Sequence, residues 1–165
     1  MATFSTELLA LLHQVHRVRS SATFHLTAGD VFLVPNKTFL VMGGIKVYDL
    51  KSVTIQIDGT LIFSNNMDEW PRDSSGHVLH SLHMFNIDNV TFTSGGTGTL
   101  DGQGEVWWGI PGVGYLVRGE NRPNLLKITD SSNLLVENLF FFNSPCWTFW
   151  AENVDGLEVR YCEIR

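Results

Sequence analysis

Three histidines, His77, His80 and His83, are spaced three residues apart and are the first candidates for chemistry in this sequence. On a helix, neighbours at i and i+3 lie on one face and could share a metal ion. In a β-coil their side chains would diverge, and no cluster of carboxylates accompanies them. We therefore expect no metal site at these histidines.

Aromatic and acidic pairs offer two further candidates. Trp107 and Trp108 could stack on sugar rings, but a single adjacent pair does not make a platform, so packing in the core is an equally good interpretation. Asp68 and Glu69 are adjacent, and adjacent residues on a strand point to opposite faces. We expect this acidic pair to lie in a solvated loop.

A glycine-rich block runs from Gly98 to Gly104, with Asp101 and Gln103 between the glycines. This alternation predicts a tight bend with positive φ and side-chain bonds from the aspartate to the backbone. We favour a structural role for Asp101 over a catalytic one. The block is not a phosphate loop, because Trp107 stands where the third glycine of that motif would be.

Two cysteines and two sequons depend on the compartment for their meaning. Cys146 and Cys162 are too few for a disulfide framework and form no CxxC site, so we interpret both as buried thiols; pairing in an oxidising compartment stays open. Asn36 and Asn89 each begin an N-glycosylation pattern. Asn36 is the better acceptor, because Asn89 lies beside a predicted core strand.

Composition limits the possible classes of protein. The chain has 165 residues, of which 44% are hydrophobic and 17% charged, enough for one domain with an apolar core. The net charge is −6 and the basic residues are scattered, which argues against a nucleic-acid partner. The longest uncharged stretch of apolar-leaning composition, Asn138 to Trp150, falls short of the roughly 20 residues of a membrane span. The apolar run Leu8 to Leu12 is too short for a clear signal peptide.

Local periodicity predicts one helix followed by many strands. Apolar residues recur at helical spacing at Leu8, Leu11, Leu12 and Val15. We therefore predict a short amphipathic capping helix within the N-terminal segment 1–21. Residues 22–165 alternate short β-rich runs with turns, and no second helix of convincing length is present, which excludes a βαβ architecture. The predicted strands are Val31 to Val34, Thr38 to Met42, Val53 to Ile57, Thr60 to Phe63, Val90 to Thr93, Leu125 to Ile128, Leu134 to Leu139 and Leu157 to Tyr161.

An internal repeat identifies the kind of all-β fold. At an offset of 23 residues, the apolar positions of Leu126 to Phe141 coincide with those of Phe149 to Ile164. For example, Leu134 aligns with Leu157. Such matching predicts a parallel β-helix, in which each coil places its inward side chains over those of the coil before.

Upstream echoes of the repeat are less regular. Val90 and Leu134 are 44 residues apart, which suggests about two coils, whereas Val53 and Val90 are 37 apart, which predicts an insertion or a partial coil between them. The irregular parts are expected at Asn65 to Ser75 and at Gly102 to Arg122, the second being a long loop that leaves the stack.

Several short motifs occur in a fixed order along the chain. They are GTLDGQG (98–104), WW (107–108), RPNLL (122–126) and NSPCW (143–147), with AGDVF (28–32) and IDGTL (57–61) upstream. Taken together, they resemble the N-terminal part of the polygalacturonase family of glycoside hydrolases. The resemblance covers roughly residues 26–165 and implies an all-β fold, a right-handed parallel β-helix. It also implies hydrolysis of α-1,4-galacturonosyl linkages in pectin.

The resemblance also implies an inverting reaction in which one carboxylic acid and one carboxylate base act about 6.5 to 9.5 Å apart. The family supplies these groups from an Asn-Thr-Asp segment, an Asp-Asp pair, a Gly-His-Gly and an Arg-Ile-Lys. None is present here: Gly76-His77 is followed by Val78, and Lys46 lacks the arginine before it. We therefore assign no catalytic residue, no cofactor and no metal ligand, and expect the catalytic groups to lie beyond Arg165.

Two hypotheses follow. In the first, the chain is the N-terminal part of a pectin hydrolase, truncated at its C-terminal end, inactive alone, and a monomer when complete. In the second, it is a non-catalytic β-helix that binds carbohydrate or serves a structural role. A calcium-dependent pectate lyase is disfavoured, because no acidic ligand cluster is present. The resemblance implies a pectic partner, an extracellular location, and neither nucleic acid nor membrane as partner.

Overall fold

The computed structural model describes residues 26–109 and 121–165, and these residues form short strands almost throughout. A single helical turn, α1 (Glu105–Trp108), interrupts them. The strands are β1 (Val31–Val34), β2 (Thr38–Val41), β3 (Ile45–Tyr48), β4 (Thr54–Ile57), β5 (Thr60–Phe63), β6 (Leu82–Phe85), β7 (Asp88–Thr93), β8 (Thr99–Asp101), β9 (Leu126–Glu137), β10 (Phe140–Phe142), β11 (Phe149–Arg160) and β12 (Glu163–Ile164). The predicted all-β class is confirmed, and the predicted N-terminal helix lies outside the described residues.

All strand pairs are parallel and stack in three columns. The first column holds β3, β6 and the beginnings of β9 and β11. The second holds β1, β4, β7 and the ends of β9 and β11, and the third holds β2, β5, β8, β10 and β12. The chain visits the columns in a constant order and therefore forms a parallel β-helix. Its hand is the right-handed one that crossovers between parallel strands adopt, as predicted.

Alternating side chains fill the inside of the coils. In β3, β4, β5 and β6, every second residue is buried and its neighbours are partly exposed. Val47, Phe63, Val90, Val136 and Phe141 are completely buried. This period of two is the strand pattern that places one face in the core and the other outside.

Between the first and second columns, each coil turns at a residue with positive φ. Asp49, Asn86, Asp130 and Asn153 occupy this position with φ values of 60°, 50°, 51° and 52°. Asn86 Nδ2 donates to Asp49 Oδ1 at 2.6 Å, and Asn153 Nδ2 donates to Asp130 Oδ1 at 2.6 Å. Asn and Asp tolerate this backbone region best among residues with side chains, so the stacked turn fixes where the first column ends.

The coil register corrects one prediction from spacing. Leu126 pairs with Phe149 and Leu134 with Leu157, so the offset of 23 is confirmed. Val90 pairs directly with Leu134, so the 44 residues between them form one coil and not two. The excess lies between β8 and β9, where residues 102–109 and 121–125 carry no strand of the repeat.

The interval of 37 residues contains the expected insertion. It lies between β5 and β6, and its Trp70 is buried against Trp107 from the segment after β8, with ring centroids 5.3 Å apart. Two insertions from successive coils thus pack on each other outside the regular stack.

The glycine block also differs from the prediction. Gln103 is its residue with positive φ, at 46°, whereas Gly98, Gly102 and Gly104 are not in that region. These glycines are required by close approach instead: a Cβ on Gly98 would lie 1.9 Å from the backbone oxygen of Ile57.

Candidate functional site

The outward positions of the first column form a straight row that we call the lysine row: Lys46, His83, Lys127 and Trp150. Lys46 pairs in register with His83, His83 with Lys127, and Lys127 with Trp150. The inward neighbours of the first three are buried, so these three side chains lie on the outer face. Four coils therefore contribute one side chain each to a single line across the strands.

A second row lies beside the first, two residues further along each strand. It consists of Tyr48, Phe85, Thr129 and Glu152. The rings of Tyr48 and Phe85 are stacked with centroids 4.8 Å apart and an interplanar angle of 10°. The outer face of the first column thus carries cationic, aromatic and hydroxyl groups within two neighbouring rows.

Lys127 is the best-connected cation of the row. Its Nζ lies 3.0 Å from Glu152 Oε2 and 5.9 Å from the ring centroid of Trp150. The side chain of Glu152 is 57% exposed and that of Lys127 is 18% exposed, so the carboxylate side of this ion pair is open to solvent and the pair contributes little to stability. An ammonium group has three donors, so Lys127 can hold Glu152 and a further oxygen together.

Two histidines meet at this face. The rings of His80 and His83 are 5.2 Å apart edge to face, and His83 Nε2 is 3.0 Å from Thr129 Oγ1. The backbone N–H of Asn124 donates to His80 Nδ1 at 3.1 Å, which places the proton of the neutral ring on Nε2. The expectation that these histidines diverge is wrong for His80 and His83, because His80 lies just before β6 and folds back over the strand.

Asn124 explains part of the RPNLL motif. Besides its bond to His80, its Oδ1 accepts from the backbone N–H of Trp147 at 3.3 Å, and its own carbonyl accepts from Ser81 N–H at 2.9 Å. The residue is buried, and it connects the segments that enter the first column in three successive coils. Asn124 therefore helps to position the candidate site through these three hydrogen bonds.

Both histidines are held in their neutral form. Burial, the largest cause, and the positive charges of Lys127 and Lys46 lower the pKa of His80 from 6.5 to about 4. Burial, with His80 and the same two lysines, lowers the pKa of His83 from 6.5 to about 3. The charge of the face at mildly acidic pH therefore comes from its lysines and Glu152.

A pH dependence of stability follows from these two shifts. The unfolded chain takes up protons at His80 and His83 below about pH 6.5, while the folded chain does so only near pH 4 and 3. We expect the free energy of unfolding to fall as the pH is lowered from 6.5 towards 4. The His80→Gln/His83→Gln variant should show a shallower fall in urea titrations across this range. Equal slopes for the two proteins would contradict the shifts.

The structure separates the other candidate residues. His77 lies apart from the other two histidines, with Nδ1 3.6 Å from Asp73 Oδ2. Asp68 and Glu69 are exposed in the loop after β5, in line with the solvated-loop interpretation. Within residues 26–109 and 121–165, no group of three or more His, Cys, Asp or Glu side chains could hold a metal ion.

The tryptophan pair and Asp101 have structural contacts. Trp107 is completely buried, whereas Trp108 is 41% exposed and donates from Nε1 to the Ser144 carbonyl at 2.9 Å. Asp101 Oδ1 accepts from the backbone N–H of Gln103 at 3.0 Å and from Asn143 Nδ2 at 3.2 Å. Asp101 thus closes the predicted turn and ties it to the next coil.

The two cysteines and the two sequon asparagines are at least partly exposed in the structure. Cys146 and Cys162 are both free and only half-buried, which corrects the interpretation of both as buried thiols. Asn36 is exposed in the turn between β1 and β2. Asn89 is also exposed, but its Nδ2 donates to Ser52 Oγ at 3.0 Å in the ladder of turns.

Sequence reasoning missed the lysine row. Its members come from four coils separated by insertions of different length, so no local motif joins them. Strands β3 and β6, which carry Lys46 and His83, were not predicted at all. The repeat could have revealed the row, because continuing the register of Lys127 and Trp150 upstream across both insertions leads to His83 and Lys46.

None of the helices in the described part of the chain has the length and apolar character needed to cross a membrane.

Fold and face together define a class, a right-handed parallel β-helix with an exposed cationic and aromatic face on its first column. Residues 27–165 match the model of the family described as glycosyl hydrolases family 28. The chain belongs to that family, which confirms the resemblance found in the sequence.

Relatives with curated names share low identity but long matched regions. A polygalacturonase of Chamaecyparis obtusa is 26% identical over 167 residues, covering 98% of this chain and 30% of its own length. An exopolygalacturonase of Cochliobolus carbonum is 26% identical over 120 residues, covering 72% of this chain and 26% of its own length. This chain therefore spans less than a third of these relatives.

A solved structure shares the fold. The exopolygalacturonase from Thermotoga maritima superposes with a TM-score of 0.61 at 20% identity, covering 83% of this chain and 39% of that chain. At this identity the likeness supports the β-helix architecture and nothing finer.

Proposed function

We propose that this chain is part of a polygalacturonase-like glycoside hydrolase and contributes substrate-binding coils to it. The substrate is the α-1,4-linked galacturonan of pectin, encountered outside the cell. The observation that carries the proposal is the lysine row, a line of cationic and aromatic groups on a chain whose net charge is −6. An acidic protein repels a polyanion in general, so binding of one needs a local concentration of positive charge.

The two kinds of side chain in the row suit an acidic sugar chain. Lys46 and Lys127 can donate charge-assisted hydrogen bonds to carboxylates. Trp150 is 44% exposed and can stack on the apolar face of a sugar ring. The parallel register sets these groups in a line across the strands, which matches a linear ligand better than a compact one.

The catalytic carboxylates are proposed to lie outside these 165 residues. In support, the sequence lacks the Asn-Thr-Asp, Asp-Asp, Gly-His-Gly and Arg-Ile-Lys segments that the family resemblance leads one to expect. The carboxylate on the proposed binding face, Glu152, is paired with Lys127. We propose inversion with two carboxylates for the whole enzyme, and binding without hydrolysis for this chain alone.

The missing catalytic segments also favour a second candidate function, a non-catalytic β-helix that binds carbohydrate. Both candidates predict that the lysine row binds galacturonan. They differ in one observation: reading frames that continue past the codon for Arg165 carry the catalytic segments in the first case and lack them in the second.

Lysine footprinting tests the binding face. We expect trigalacturonate to slow acetylation of Lys46 and Lys127 by acetic anhydride, because their ammonium groups would be engaged by carboxylates. Lys37 and Lys51 are internal controls, since both are exposed on other parts of the coils. Mass spectrometry of tryptic and chymotryptic peptides reads all four sites in one sample.

The neutral trisaccharide maltotriose is the ligand control and should protect none of the four lysines. Equal protection of all four by trigalacturonate, or protection of Lys37 and Lys51 alone, would contradict the proposed face.

A further inference from the structure

Along the lysine row, positively charged and uncharged side chains alternate. Lys46, His83 and Lys127 occupy equivalent positions of three successive coils. Neighbouring strands are about 4.8 Å apart, so the two lysines start about 10 Å apart with His83 midway between them. A hexose ring is about as wide as this strand spacing, so a chain lying across the strands presents roughly one sugar to each of the three.

The middle position is uncharged and largely apolar. The ring of His83 lies 3.7 Å from that of Phe85 between centroids, and its Nε2 is engaged with Thr129 Oγ1 at 3.0 Å. The imidazole remains neutral above about pH 4, since burial and the flanking cations lower its pKa to about 3. A carboxylate placed there would lose water against a neutral imidazole and would have its nearest cations, Lys46 and Lys127, only on the neighbouring strands, whereas an ester has less hydration to lose.

The two outer positions, Lys46 and Lys127, differ from the middle position in carrying a positive charge. Among the described residues, Lys46 has no carboxylate within ion-pair distance. Lys127 has one, Glu152, whose side chain is the exposed member of the pair, and an ammonium group bound to one carboxylate has further donors. Two free carboxylates of a ligand would therefore each meet a cation, and a methyl ester between them would meet rings.

We propose that the lysine row selects galacturonan by its esterification pattern, binding segments in which a methyl-esterified unit lies over His83 between two free galacturonates at Lys46 and Lys127. This inference rests on the proposed function, because it assigns a preferred substrate pattern to the same face. The row then distinguishes partially esterified pectin from fully de-esterified pectin by charge position and not by total charge.

Three trisaccharides test this pattern on the full chain by isothermal titration at pH 6. They are trigalacturonate, its derivative with a methyl ester on the central unit, and its derivative with methyl esters on both outer units. We expect the central ester to bind at least as tightly as the free acid. The outer diester should bind about 100-fold more weakly than the central ester, because it leaves both lysines without a carboxylate.

A variant with a cation at the middle position should reverse the preference between the free acid and the central ester. In His83→Lys the middle position becomes cationic, so the free acid should bind more tightly than the central ester. The three ligands measured on the unmodified protein keep the inference testable should that variant fold poorly.

The outcomes separate this inference from the proposal beneath it. Should the free acid bind but the central ester lose as much affinity as an outer ester, the pattern is wrong while the binding face stands. Should none of the three ligands bind, both the pattern and the proposed function are overturned.

Discussion

Gly98→Ala is expected to lower the free energy of unfolding by about 3 kcal/mol or more. The added Cβ would lie 1.9 Å from the carbonyl oxygen of Ile57 and 2.8 Å from Leu139 Cδ2. The glycine cannot move away easily, because its N–H donates to Ser94 Oγ at 2.7 Å and its carbonyl accepts from Phe140 N–H at 2.9 Å. The substitution therefore forces apart backbone segments of neighbouring coils.

Gly95→Ala is the matched control, three residues away in the same loop. Its Cβ would meet no backbone atom and only the half-buried Asp58 side chain, at 3.3 Å, which needs to shift by a few tenths of an ångström, so we expect a loss of less than about 1 kcal/mol. Urea unfolding followed by circular dichroism measures both variants. If Gly98→Ala were as mild as Gly95→Ala, the coils would not approach as closely as described.

The sequence was sufficient for the fold where the coil carries no insertion. The match between residues 126–141 and 149–164 reproduces the observed register position for position, because inward side chains of stacked coils must be apolar at the same places. The spacing from Val90 to Leu134 misled, because an insertion adds length without adding apolar periodicity. Coil counts from spacing are therefore reliable only between coils joined by short turns.

Among the short strands that were not predicted are β3 and β6, which carry Lys46 and His83 of the lysine row. In β3, Lys46 and Tyr48 alternate with Ile45 and Val47, a strand pattern of only four residues. In β6, His83 belongs to a run of histidines spaced three residues apart, which matches a helical metal motif and conflicts with the strand period of two. Four residues are too few to distinguish these periods from chance.

The candidate site could not be recognised as a local motif for a related reason. Its lysines are brought together by stacking, and the sequence separation of partners in successive coils varies with each insertion. Only the three-dimensional register shows that Lys46, His83, Lys127 and Trp150 form one line. By contrast, the structural role of Asp101 was predictable, because the turn it closes is local.

Loss of both lysines of the row is expected to weaken galacturonan binding about 100-fold. Each lysine would supply one charge-assisted hydrogen bond to a carboxylate, and removing such a bond costs about 1.5 kcal/mol, or roughly tenfold in affinity. Lys→Met is the preferred change, since it removes the charge but keeps the apolar stem that packs along the sheet. Binding by the unmodified chain should also weaken as salt is added, whereas the double variant should respond less.

Lys37→Met/Lys51→Met is the matched control, because it changes the net charge equally but at exposed positions outside the row. The most direct measurement of the binding face is the affinity of trigalacturonate for these two double variants and the unmodified chain, determined side by side by isothermal titration. The proposed face predicts that Lys46→Met/Lys127→Met loses about 100-fold in affinity while the control changes less than about twofold. Equal losses in the two double variants, or no loss in either, would contradict it.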